Sequence, residues 1–132
     1  MSAIKNDGIS EMLRFFARVK PRIEPVHALL DHGRYFEPVA HLPAGFKKGP
    51  LGHCYENCTR AIMQLMGNGD SSYYYAEGFA LESTYRTPFE HAWLVNADGE
   101  AIDLTWKNTE GAVYYGVTFR HAFLLDMSVN GR

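Results

Sequence analysis

The sequence predicts an α+β domain in which helices pack on a mainly antiparallel sheet, and three observations carry that reading. Apolar residues recur at helical spacing over residues 12–19 and again over 54–65. Beyond residue 72 they gather in short runs rich in β-branched and aromatic side chains. Those runs follow one another across turn signals with no helical pattern between them, the arrangement of neighbouring antiparallel strands.

The elements are justified in chain order. Met12, Leu13, Phe15, Phe16 and Val19 repeat at helical spacing behind Ser10, a good N-cap, and Pro21 ends the pattern. Pro25 suits a first helical turn, and a second short helix is expected through Val26, Leu29 and Leu30 to Gly33. From Gly33 to Gly52 the density of proline and glycine predicts a long loop, with one short extended piece around Val39–His41. A helix beginning at Cys54 places Cys54, Cys58, Ala61, Ile62 and Leu65 on one inward face, and the run Gly67-Asn68-Gly69-Asp70 stops it. Strands are expected over Tyr73–Leu81, His91–Val95, Glu100–Thr105 and Val113–Phe119. No repeat, low-complexity stretch or linker divides the chain. Residues 1–132 therefore read as one domain, with a helical and loop part over 1–50 and a core over 51–119 that carries the chemistry.

Composition narrows the function. The 132 residues are 46% hydrophobic, enough for one core, and the formal net charge of -2 offers no excess with which to neutralise phosphates. A nucleic-acid partner is not expected, and Lys47-Lys48 is too small a patch to change that. The opening Met1–Asp7 lacks the apolar stretch of a signal peptide, and no run approaches the roughly 20 apolar residues that span a bilayer. A cytoplasmic protein with no membrane role is expected. In that reducing compartment Cys54 and Cys58, a helical turn apart, are read as free thiols.

The chemistry lies in the order Cys54, His91, Asp103: a thiol, an imidazole and a carboxylate that can serve as nucleophile, base and orienting group. Whether the last two meet depends on the turn Asn96-Ala97-Asp98-Gly99-Glu100. A two-residue Asp98-Gly99 turn would pair Leu94 with Asp103 and put His91 on the opposite face. A three-residue loop, Ala97-Asp98-Gly99 with Gly99 left-handed, pairs Trp93 with Asp103 and His91 with Thr105. His91 and Asp103 then share a face as diagonal neighbours, roughly 7–8 Å apart between backbones. The second register also makes Ala92, Leu94, Ile102 and Leu104 a fully apolar opposite face, which favours it.

At a helix N-terminus and beside an imidazolium, a thiol ionises more readily than at its ordinary pKa of about 8.5. His91 would move the thiol proton and later serve the leaving group or the second nucleophile; Asp103 would fix its tautomer. The Cys54 N–H is the natural oxyanion donor. His53, Tyr55, Asn57 and Trp93 are the further candidates for substrate or oxyanion binding, and Trp106, Tyr73, Tyr74, Tyr75, Tyr114 and Tyr115 either line a cleft or build the core.

The segments Gly52-His53-Cys54-Tyr55-Glu56-Asn57, Glu90-His91-Ala92-Trp93 and Asp98-Gly99-Glu100-Ala101-Ile102-Asp103-Leu104-Thr105 resemble the transglutaminase-like branch of the papain-like cysteine enzymes. The Cys-Tyr-x-Asn and Glu-His-Ala-Trp pieces are also similar to those of small bacterial and phage proteins. The resemblance covers roughly residues 50–119. It implies a Cys-His-Asp triad on a helix packed against an antiparallel sheet, and a hydrolase (thiol protease, amidase or deamidase) or acyltransferase acting through an acyl-enzyme on a protein or peptide substrate.

Plainer readings compete. Cys58 sits a turn deeper in the apolar stripe and reads as core packing. His53, Cys54, Cys58 and His91 are soft ligands, yet no Cys-x-x-Cys or His-x-x-x-His pair reinforces them, so neither a metal nor another cofactor is expected. The functional alternative is a non-catalytic accessory protein that keeps the same frame to bind a protein partner. Oligomeric state is left open by the sequence.

Overall fold

The computed structural model describes residues 32–84 and 87–124. The helices expected over residues 12–19 and 25–33 lie outside the described residues, apart from His32 and Gly33. The elements are β1 (Arg34–Phe36), α1 (Cys54–Gly67), β2 (Tyr74–Leu81), β3 (Phe89–Val95), β4 (Ala101–Ile102) and β5 (Val113–Phe119). The strands form one sheet in the order β1-β5-β2-β3-β4 with every pair antiparallel, so the class is α+β.

Two expectations need correction. The extended piece placed around Val39–His41 is found earlier, at Arg34–Phe36, where three residues are too short a run to show a strand period. Pairing with β5 holds them extended, with Tyr35 edge-on to Tyr115 at 4.8 Å between ring centroids. The strand expected over Glu100–Thr105 is only two residues long. It stops because the Asp103 carboxylate accepts the N–H groups of Thr105 and Trp106, at 2.8 and 2.9 Å, and so turns the backbone away from the ladder.

The segment after Phe36 closes the sheet. Ala101 donates its N–H to the Glu37 carbonyl and accepts one from Val39, at 2.8 and 2.9 Å, so residues 34–39 bond to β5 along one part and to β4 along the other. All five strands then contribute to a single cluster: Phe36, Ala76, Ala80, Trp93, Val95, Ala101 and Tyr114. Strands from both edges can share one cluster only if the sheet curls around it. Small residues on β2 leave room for Trp93, and Gly116 has no side chain because a Cβ there would overlap the Glu77 carbonyl and meet Trp93 at 2.8 Å.

On the outer face α1 buries Cys54, Cys58 and Ile62 against Tyr75, Ala92, Leu94, Ile102 and Leu104, with Ala61 and Leu65 half-buried beside them. Four of these sheet residues are the apolar face expected from the hairpin register. The register itself is observed: Leu94 pairs with Ile102 and Val95 with Ala101, which puts Trp93 across from Asp103. Asn96 and Glu100 close a three-residue loop through a 3.0 Å backbone bond, and Gly99 has φ of +80°, the left-handed value the loop requires.

Candidate active site

His91 lies on the inward face of β3 and is 2% exposed. Its Nε2 meets Asp103 Oδ2 at 2.9 Å. Asp103 is equally buried, and each of its oxygens has two partners. Oδ1 accepts the N–H groups of Thr105 and Trp106, while Oδ2 accepts from His91 and from the Tyr114 hydroxyl at 2.6 Å. An ionised carboxylate so surrounded is fixed in rotation as well as charge. Burial works against its ionisation, but the hydrogen bond and charge of His91 and the hydrogen bond from Tyr114 outweigh it and hold the carboxyl below its usual range.

Cys54 heads α1 at the outer side of the sheet and is 9% exposed. Its thiol hydrogen-bonds the His91 ring, and with Nε2 turned to Asp103 the nitrogen left for the thiol is Nδ1. Burial alone would lower the basicity of His91. Hydrogen bonds to Asp103 and to Cys54, then the charges of both, reverse that and push the imidazole up to about 9. The ring is also clamped by Trp106, stacked on it at 4.1 Å between centroids and half-buried.

The cap of α1 leaves the Cys54 N–H outside the intrahelical ladder, whose first bond is Asn57 N–H to the His53 carbonyl at 2.8 Å. No side chain caps that end. The expected oxyanion donor is therefore not used within the helix. The other candidates are placed differently. His53 is exposed and its Nδ1 pairs with Glu56 Oε1 at 2.6 Å. Asn57 is buried, with Nδ2 committed to the Pro50 carbonyl and the Thr105 hydroxyl. Trp93 is wholly buried inside the curled sheet and borders no solvent, so Trp106 is the indole at the site. Tyr55, next to Cys54 in the chain, remains at the surface, and Leu51 is exposed as well.

Cys58 is completely buried; desolvation, reinforced by the negative charge of Asp103, pushes its thiol well up. It packs in the core beneath α1. Among the described residues no three His, Cys, Asp or Glu side chains converge on a metal-sized site. No helix of the described residues is long and apolar enough to cross a membrane.

Three contributors escaped the sequence reading. Tyr114 stood among undifferentiated aromatics, because its hydroxyl reaches Asp103 across the interior from a strand not adjacent to β4. Lys48 was only half of a small basic patch, yet its Nζ donates to the carbonyls of Asp103 and Trp106, at 2.8 and 2.5 Å. Thr105 alone left a signal, by sharing the His91 face in the correct register. Comparison with protein-family models, curated proteins and solved structures finds no match for this chain.

Proposed function

We propose that this is a cytoplasmic cysteine hydrolase or acyltransferase with a papain-like, transglutaminase-like core, acting on an amide or thioester carbonyl of a protein or peptide through Cys54, His91 and Asp103. The observation that carries the reading is the buried imidazole held between a carboxylate on Nε2 and the thiol at the head of α1. With His91 pushed up to about 9, the ring is an imidazolium near neutral pH, the partner that favours a thiolate.

In this reading the sulfur adds to the carbonyl carbon, and the oxyanion that forms is met by the Cys54 N–H. His91 Nδ1 gives its proton to the departing amine or thiol as the C–N or C–S bond breaks, leaving a thioester on Cys54. Water or an amine then loses a proton to the same nitrogen and attacks the thioester, and the C–S bond breaks to release the acyl group and restore the thiolate beside the imidazolium. Asp103 keeps Nε2 protonated throughout and does not itself take the proton.

A second reading has an observation of its own. Two surface clefts are lined by Glu37–Ala40 with Lys107–Val113, and by Ala44–Gly49 with the flank of α1 at Asn57, Ala61 and Gln64; neither includes Cys54 or His91. A partner-binding protein that keeps the frame would be built that way. Alkylation by iodoacetamide near pH 7 separates the two. The enzyme reading expects Cys54 to react well ahead of a free thiol and His91→Ala to slow it by about tenfold or more. A thiol of ordinary reactivity, indifferent to His91, gives the binding reading the field.

A further inference from the structure

The helix that carries the nucleophile and the turn that carries the carboxylate are joined by a side chain belonging to neither reacting group. Asn57 lies one helical turn beyond Cys54, and its Nδ2 donates to the Thr105 hydroxyl at 2.9 Å and to the Pro50 carbonyl at 3.1 Å. Thr105 in turn gives its N–H to Asp103 Oδ1 at 2.8 Å. A closed circuit results: Cys54, Asn57, Thr105, Asp103, His91 and back to Cys54. A second set of bonds braces the same turn from outside. The Gly49 N–H reaches the Leu104 carbonyl at 2.7 Å, beside the two bonds from Lys48.

Packing alone does not account for this amide. Asn57 Oδ1 is buried with no hydrogen-bond partner among the described residues, a destabilising state that an apolar side chain would avoid. The oxygen lies against the Gly49 α-carbon so closely that a Cβ on Gly49 would overlap the amide. The strand end and the loop are thus fitted around an Asn whose useful atom is Nδ2.

We infer that Asn57 is a positioning residue: through Thr105 it sets where Asp103, and with it His91, stands relative to the Cys54 thiol. The inference rests on the triad reading above. It distinguishes Asn57 from an oxyanion donor, the role its place near Cys54 first indicated, because the donor nitrogen is already committed away from the thiol.

The test compares Thr105→Val, which removes the hydroxyl at nearly constant volume, with Thr105→Ser, which keeps it, and adds Asn57→Ala. Two quantities are read on folded protein: the His91 titration midpoint by NMR, and the rate of iodoacetamide alkylation at Cys54. Thr105→Val and Asn57→Ala are expected to lower the midpoint by about one unit or more from its parent value and to slow alkylation near pH 7 by about tenfold. Thr105→Ser is expected to keep both within about twofold of the parent. If Thr105→Val lowers only the thermal midpoint and leaves both readouts unchanged, Asn57 is a structural tether and the inference is overturned; should Asn57→Ala fail to fold, the Thr105 pair still decides. A parent thiol of ordinary reactivity combined with a moved His91 midpoint would reject the enzyme reading while retaining the positioning role.

Discussion

Asp103 is the residue on which most of the local chemistry converges. Its alignment with His91 was legible because side chains alternate along a strand and one loop length satisfied both the polar pair and the apolar face. The Tyr114 contact was not legible, since alternation says nothing about which residues face each other across a curled interior. Tyr114→Phe removes a hydrogen bond to a charged acceptor and is expected to lower stability by about 1.5–3 kcal/mol, read as a smaller urea midpoint at constant slope. Phe keeps the ring that packs on Trp93, so a loss below about 0.5 kcal/mol would mean that the hydroxyl contributes little.

The same pair predicts a pH dependence with a defined sign. His91 binds its proton more tightly when folded, so its contribution is fully present below the ordinary value of 6.5 and is lost as pH rises through about 9. Asp103 is held low, so its contribution is present above the ordinary carboxylate value of about 3.9 and is lost as pH falls through its folded value. Stability measured by urea titration should therefore decline on both sides of that window. His91→Gln should flatten the alkaline limb; if the limb is the same in parent and variant, another group causes it.

At the level of elements, α1 and β5 were readable to within a residue because each is a long run of one period. β1 and β4 were not. One is too short for any period, and the other is cut short by a side chain that competes for its backbone. The helix also offers the cleanest mutational contrast. Cys54→Ala changes little volume at a partly open helix start and should remove thiol labelling while barely moving the thermal midpoint. Cys58→Leu forces extra volume into a site with no exposure and should cost about 1–3 kcal/mol while leaving Cys54 reactive. Thiol labelling and calorimetry of the two variants check this together, and a destabilised Cys54→Ala would contradict the division of roles.

For the whole molecule, the interior of the curled sheet sets the tolerances. Trp93 occupies the space that Gly116 leaves, so Gly116→Ala should destabilise by about 1–3 kcal/mol or more through displaced backbone and indole. Thermal denaturation measures it, and a neutral result would show that the strands can part at little cost. Curvature was not legible in the sequence, because it arises from contacts between strands remote in the chain, which no local pattern records.

The short run from Arg34 to Val39 has a kinetic consequence. It is made before either of its partners on the ribosome: both of its seams need residues that follow much later in the chain, β4 on one side and β5 on the other. Until those arrive it has nothing in the sheet to hold, and the loss of chain entropy on bringing such distant segments together must precede any gain. Closure of the sheet is therefore expected late in folding. Substitutions along Arg34–Val39 should accelerate unfolding more than they slow folding, making this clasp the part of the molecule that governs how long the native state lasts.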